Sequence, residues 1–187
     1  MWCYSVLAYF HPPLWTNLNA MKTKILVSAC LMGHKVRYNG SEKAQISETL
    51  LRWQQENRLV THCPELAAGL SIPRLPAEIV GGSGKDVMAG HACILESDGT
   101  DVTGHYQLAA WLALRAALAS DCSAALLTDG SPTCGSELIY DGSFTGQKRA
   151  GTGVAAALLR EHGIQVFSDN QLMELIAWVK ERENDSV

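Results

Sequence analysis

The sequence predicts an α/β domain with a mostly parallel sheet flanked by helices, a Rossmann-like three-layer sandwich. Three observations predict it. Short apolar runs alternate with helix-length segments along the chain, which implies parallel strands joined by crossovers. One run, residues 124–127 (Ala-Ala-Leu-Leu), is apolar throughout, the pattern of a strand buried on both faces. Cys30, Cys63 and Cys134 each stand in a polar loop just after such a run. In open parallel sheets, ligands gather beyond those strand ends.

The elements follow in order. Residues 24–29 form the first strand and lead into Cys30. Residues 44–57 read as a helix, with Ile46, Leu50, Leu51 and Trp53 as its apolar stripe. Residues 59–62 are a strand ending at Cys63. Residues 64–90, rich in Gly and Pro, read as one long irregular stretch of functional or mobile loop. Residues 92–95 and 100–102 form a hairpin around Ser97-Asp98-Gly99. Thr103 is placed to N-cap a long Ala- and Leu-rich helix over 104–120. After the 124–127 strand comes the loop holding Cys134, then a Gly-rich stretch over 141–153. A helix over 152–162 is closed by Gly163, a strand follows at 165–167, and a terminal helix spans 170–180. Leu172, Leu175, Ile176 and Val179 make its apolar face.

Composition narrows the classes of function. The 187 residues suffice for one domain with a substantial core. A net charge of -4 argues against a groove that tracks the phosphates of a large nucleic acid, but leaves a single nucleobase open. The six cysteines are Cys3, Cys30, Cys63, Cys93, Cys122 and Cys134. Their wide spacing, without a Cys-x-x-Cys pair, disfavours a disulfide scaffold, a zinc ribbon or a thioredoxin motif. They fit a reducing, cytoplasmic setting. Residues 1–10 are apolar, but His11-Pro12-Pro13 stops them and no basic segment precedes them, so no membrane span is expected. Met21 opens the first strand. Residues 1–20 therefore read as an unstructured extension from a misassigned start, and residues 21–187 as the domain. Oligomeric state is not legible.

The candidate site is Cys30, Cys63 and Cys134 with Glu65 and Ser131. Soft thiolates suit an iron–sulfur cluster, zinc or copper(I), and three ligands leave one metal position open. Buried structural cysteines are the plain alternative, and that reading suits Cys93, in the hairpin, and Cys122, near a helix end. Glu65, two residues from Cys63, is placed for general acid–base work at such a centre. It also fits the first turn of a helix opened by Pro64, and the two roles are compatible. Ser131 either donates to a substrate or starts a Ser-Pro turn. Arg74 either reaches a substrate oxygen or pairs with Glu78. Gly151-Thr152-Gly153 is a weak anion-binding signal, and a close backbone approach explains it better. Of the histidines, only His62, beside Cys63, bears watching.

Several motifs occur together in one order: Ser28-Ala29-Cys30-Leu31-Met32-Gly33, Val36-Arg37-Tyr38-Asn39-Gly40, Cys63-Pro64-Glu65, Pro73-Arg74-Leu75-Pro76-Ala77-Glu78-Ile79, Ser131-Pro132-Thr133-Cys134-Gly135-Ser136, Tyr140-Asp141-Gly142-Ser143-Phe144 and Gly151-Thr152-Gly153-Val154. Over residues 21–170 the chain resembles the thiouracil desulfidases, a bacterial family long called a domain of unknown function. The resemblance implies a [4Fe-4S] cluster held by Cys30, Cys63 and Cys134, with one iron not bound by protein. It implies Glu65 as the catalytic carboxylate and Ser131 as the catalytic serine. The implied reaction converts a small thiolated pyrimidine, 2- or 4-thiouracil, to uracil with release of sulfide and no net redox change. Two alternatives stand beside it. One is desulfidation of thiouridine in nucleosides or RNA. The other is a non-catalytic iron–sulfur or metal-binding protein, a sensor or a structural one, with a fourth protein ligand such as Cys93 or His62 marking the structural reading. Thr128-Asp129-Gly130 departs from the charged stretch of many relatives, which bears on substrate choice.

Overall fold

The structure, a computed structural model, describes residues 22–184. The extension expected over residues 1–20 lies outside the described residues. In chain order the elements are β1 (Lys24–Ser28), α1 (Glu48–Gln55), β2 (Leu59–His62), α2 (Pro64–Ala67), β3 (Ala77–Val80), α3 (Gly84–Met88), β4 (Cys93–Glu96) and α4 (Thr103–Ala119). There follow β5 (Cys122–Leu127), β6 (Leu138–Tyr140), β7 (Lys148–Ala150), α5 (Val154–Glu161), β8 (Gln165–Ser168) and α6 (Leu172–Asn184). Short 3-10 turns follow β1 (Ala29–Met32) and β8 (Asp169–Gln171).

The main sheet has the order β2-β1-β5-β8, and every neighbouring pair is parallel. Alternation along its strands divides the core. Ile25 and Val27 of β1, with Ala124 and Leu126 of β5, face α1 and α6 through Leu50, Trp53, Leu175 and Val179. Leu26, Ala125 and Leu127 face the opposite layer, built by α4 and α5 through Ala113, Ala117, Ala155 and Leu159. The sheet is thus the middle of three layers, as expected. The alanine-rich surfaces of α4 and α5 let these helices pack closely over it.

The strand order is decided by tertiary structure. The chain moves from β1 to β2 on one side, then crosses to β5 on the other. β1 therefore lies at the point where the connections change direction, and such a point opens a crevice at the strands' carboxyl ends.

Several elements differ from the sequence expectation. The long stretch after Cys63 is not irregular. It holds α2, β3 and α3, and β3 pairs antiparallel with β4 from Ala77 opposite Glu96 to Val80 opposite Cys93. These elements are too short to show a period. The expected hairpin survives as a turn, with Val102 N–H donating to Ile94 O at 3.0 Å, but the main partner of β4 is β3. The Gly-rich stretch contains β7, paired with β6. In α1 the apolar stripe is narrower than expected. Ser47 caps the helix, so Ile46 falls outside it and is 93% exposed, while Leu50 and Trp53 turn inward and Leu51 does not. Thr103 is not an N-cap. It is the first residue of α4, and its hydroxyl accepts from Ile94 N–H at 2.9 Å. Cys122 begins β5 and is buried.

Candidate active site

A cavity of about 330 Å³ opens at the carboxyl edge of the sheet. Its floor comes from three strand ends. β1 passes into the 3-10 turn that carries Cys30, closed by Gly33 at φ 85°. β2 passes into Cys63, which is the N-cap of α2, with Pro64 and Glu65 in the first turn. β5 passes into the loop of Ser131 and Cys134. Cys30, Cys63, Cys134, Glu65 and Ser131 all line this one cavity. The Cys-Pro-Glu segment does open a helix, and Glu65 faces the cavity from it.

The Cys134 loop is built by backbone satisfaction. The first amides of a helix have no partner within it. In α5 they find the loop: Val154 N–H donates to Pro132 O and Ala155 N–H to Thr133 O, each at 2.9 Å. Just before the helix, Gly153 N–H donates to Gly135 O at 2.7 Å. A side chain at Gly153 would place its Cβ 2.6 Å from the Thr133 carbonyl. Gly151-Thr152-Gly153 is therefore a close backbone approach. From the other side, Asp129 Oδ1 accepts from Ser136 N–H at 2.7 Å and Glu137 N–H at 3.0 Å. The departing residue Asp129 thus directs an oxygen at its own loop.

Glu65 is the hub of the polar wall. It is buried, and Oε1 accepts from the Thr133 hydroxyl at 2.7 Å and the Ser131 hydroxyl at 3.3 Å. Oε2 forms an ion pair with Arg74. Ser131 Oγ also accepts from Thr133 N–H and Cys134 N–H, each at 3.1 Å. It therefore begins the turn and binds Glu65 at once. Arg74, which lines the cavity, pairs with Glu65 and not with Glu78. Glu78 instead accepts from Gly142 N–H and Phe144 N–H. The residues that sequence reasoning missed are Thr133 and Tyr106. Thr133 lay within the quoted Ser-Pro-Thr-Cys motif. Tyr106 is a buried polar aromatic on an otherwise Ala/Leu helix, and it lines the cavity beside Arg74.

The electrostatics follow from burial. Burial pushes the Cys30 thiol up, against the Thr128 hydroxyl 3.0 Å away and the Arg37 charge, which act to lower it. Burial raises Cys63, opposed by the Leu66 amide. Cys134 is raised well above the usual thiol range, first by burial and then by the Glu65 charge, with Cys30 and Cys63 adding to it. Burial likewise raises the Tyr106 phenol, reinforced by Glu65. For Arg74, burial acts to lower the pKa, but the Glu65 carboxylate outweighs it and the net shift is upward. All five cysteines in the described residues are free. Among the described residues, no three His, Cys, Asp or Glu side chains converge closely enough for a single metal ion. Cys93 lies on β4 with its sulfur near Val80 O, outside the cavity lining. His62 does line the cavity, and its Nε2 is enclosed without a hydrogen-bond partner.

Comparison with known proteins agrees with this architecture. The family model of the 2-thiouracil desulfurases matches residues 25–171. The chain belongs to this family. It is 47% identical over 152 residues to the uncharacterized protein YbbK of Bacillus subtilis (strain 168), covering 81% of this chain and 99% of that protein. Among solved structures it is similar to the [4Fe-4S]-dependent thiouracil desulfidase TudS, with a TM-score of 0.77 and 45% identity, covering 85% of this chain and 99% of that one. The desulfurase match contains every residue of the candidate site. No helix among the described residues is long and apolar enough to cross a membrane.

Proposed function

We propose that this chain is a [4Fe-4S]-dependent desulfidase that converts thiolated uracil to uracil and hydrogen sulfide by hydrolysis, without net electron transfer, in the reducing cytoplasm. The observation that carries this reading is the convergence of three free cysteines, Glu65 and Ser131 on one cavity from separate strand ends. The family and the similarity to TudS support it.

The residues fit an iron–sulfur cluster. Three free thiols on one cavity, Cys30 and Cys134 buried and Cys63 half-buried, are a soft donor set that a cationic centre completes. Thiolates from three separate strand ends are the ligand type that iron–sulfur clusters use. Cys30, Cys63 and Cys134 would hold it, leaving one iron without a protein ligand. When bound, the cluster supplies a Lewis-acidic iron soft enough to take a thiocarbonyl sulfur and polarise the carbon–sulfur bond.

The chain's own groups do the proton work. Glu65 removes a proton from a water as that water attacks the ring carbon bearing sulfur. Arg74 and the two hydroxyls all donate to Glu65 and fix both its oxygens. Ser131, bonded to Glu65, returns a proton toward the departing sulfur. Water supplies the oxygen of uracil, and the sulfur leaves as hydrogen sulfide, so atoms and electrons balance. The cavity volume suits one nucleobase, and the net charge of -4 disfavours large RNA.

Anaerobic reconstitution with iron and sulfide, followed by assay of sulfide release from 2- and 4-thiouracil, tests the reading. Cluster absorption together with sulfide release is expected. A cluster without turnover overturns the activity. Loss of cluster iron in His62→Gln would point to a fourth protein ligand and favour the non-catalytic structural alternative.

A further inference from the structure

Phe144 stands at the cavity rim in a conformation that its own backbone disfavours. Its φ is 56°, in the left-handed region that bulky L-residues rarely occupy. Core packing does not explain this, because the ring belongs to neither buried cluster and is 37% exposed. Strain of this kind persists only where surrounding structure imposes it, and it concentrates at ligand-binding positions.

The imposing structure is local. Glu78 on β3 is buried, and its Oε2 accepts from Gly142 N–H at 2.9 Å and Phe144 N–H at 3.2 Å. Gly142 has φ 90°, and a Cβ there would lie 2.7 Å from Ile79 O, so the loop is pressed onto β3. Asp141 Oδ1 accepts from Ser143 N–H at 2.9 Å and stiffens the same turn. A buried carboxylate is thus used to hold one exposed aromatic ring against the cavity. The other aromatics of the lining are less suited to that task. The Lys148 ammonium already sits over the Tyr140 ring, 5.4 Å from its centroid. Tyr38 has ordinary backbone, tied only through its carbonyl to Arg74 N–H at 2.8 Å, and Tyr106 is buried with its hydroxyl committed to Arg74.

We propose that Phe144 is the stacking surface for the planar pyrimidine ring, and that Glu78 is the positioning residue that presents it. This deepens the desulfidase reading and rests on it. A neutral pyrimidine offers no charge to pair, whereas every nucleobase has a π-face that an aromatic ring can take without reading its substituents. Stacking would set the ring plane at the rim end of the cavity that holds Glu65. It would also tolerate sulfur at either ring position.

The test is equilibrium binding of uracil, which does not turn over, to the reconstituted protein by calorimetry, beside 4-thiouracil kinetics. Phe144→Ala is expected to weaken uracil binding at least about tenfold and to raise KM more than it lowers kcat. Phe144→Tyr should restore both to within about twofold of wild type. Glu78→Ala should raise KM as Phe144→Ala does. Glu78→Gln, which keeps an acceptor oxygen, should recover much of the loss, whereas a purely structural role would lower the melting temperature without this split. Unchanged uracil binding by Phe144→Ala overturns the stacking role and leaves the desulfidase reading standing. Weakened binding without sulfide release in wild type supports the stacking role and removes the activity. No uracil binding by wild type overturns the stacking role, and sulfide release then decides whether the desulfidase reading falls with it.

Discussion

Glu65 shows how much one residue can be asked to do. It opens α2, pairs with Arg74 and receives two hydroxyls. Glu65→Gln keeps the shape and removes the base. It is expected to lower kcat for sulfide release by roughly 100-fold or more while cluster absorption persists. Thr133→Val keeps volume and removes the shorter of the two hydroxyl bonds to Glu65. An expected fall of about tenfold in kcat, with KM unchanged, would show that this bond orients the base. Arg74→Ala leaves the buried Glu65 without its counter-ion and is expected to cost roughly 3–5 kcal/mol of stability, read from denaturant unfolding. Cys63-Pro64-Glu65 made Glu65 legible from sequence, because a carboxylate two residues from a ligand cannot stray far. The partner of Arg74 was not legible, because Glu65, nine residues before it, and Glu78, four residues after it, are both within reach and only folding chooses between them.

At the scale of elements, the Cys134 loop depends on α5. Its carbonyls serve the unpartnered amides of that helix, and the approach is close enough to exclude a side chain at Gly153. Gly153→Ala is therefore expected to lower the melting temperature and to reduce iron bound per chain after reconstitution, since Thr133 and Cys134 must shift together. Iron incorporation equal to wild type would show that the loop is held by Asp129 and Ser131 alone. The sheet strands, the long helix and the terminal helix were legible because each shows an apolar run or a helical period. The short elements β3, α2 and α3 were not. Their few residues complete no period, and β3 becomes a strand only through its pairing with β4 and its packing beside β6.

For the whole molecule, the cluster would join three strand ends that the chain connects only through long crossovers. A group that binds the folded state and bridges distant segments stabilises it. Removing iron with a chelator under anaerobic conditions is expected to lower the melting temperature by several degrees, with the sheet's circular dichroism retained below the transition. Equal melting with and without iron would mean that the strand ends are already held by protein contacts.

By itself the sequence determined the parallel α/β class, the three cysteines at strand ends and the family. These rest on local information: hydrophobic period, and chemistry at fixed spacing from it. The tertiary structure alone decided the order β2-β1-β5-β8, the network that binds Glu65 to Arg74, Ser131 and Thr133, and the loop that turns Phe144 toward the cavity. Each of these joins residues far apart in the chain. Several short segments offered equivalent partners, and only packing the layers around one sheet removed the choice.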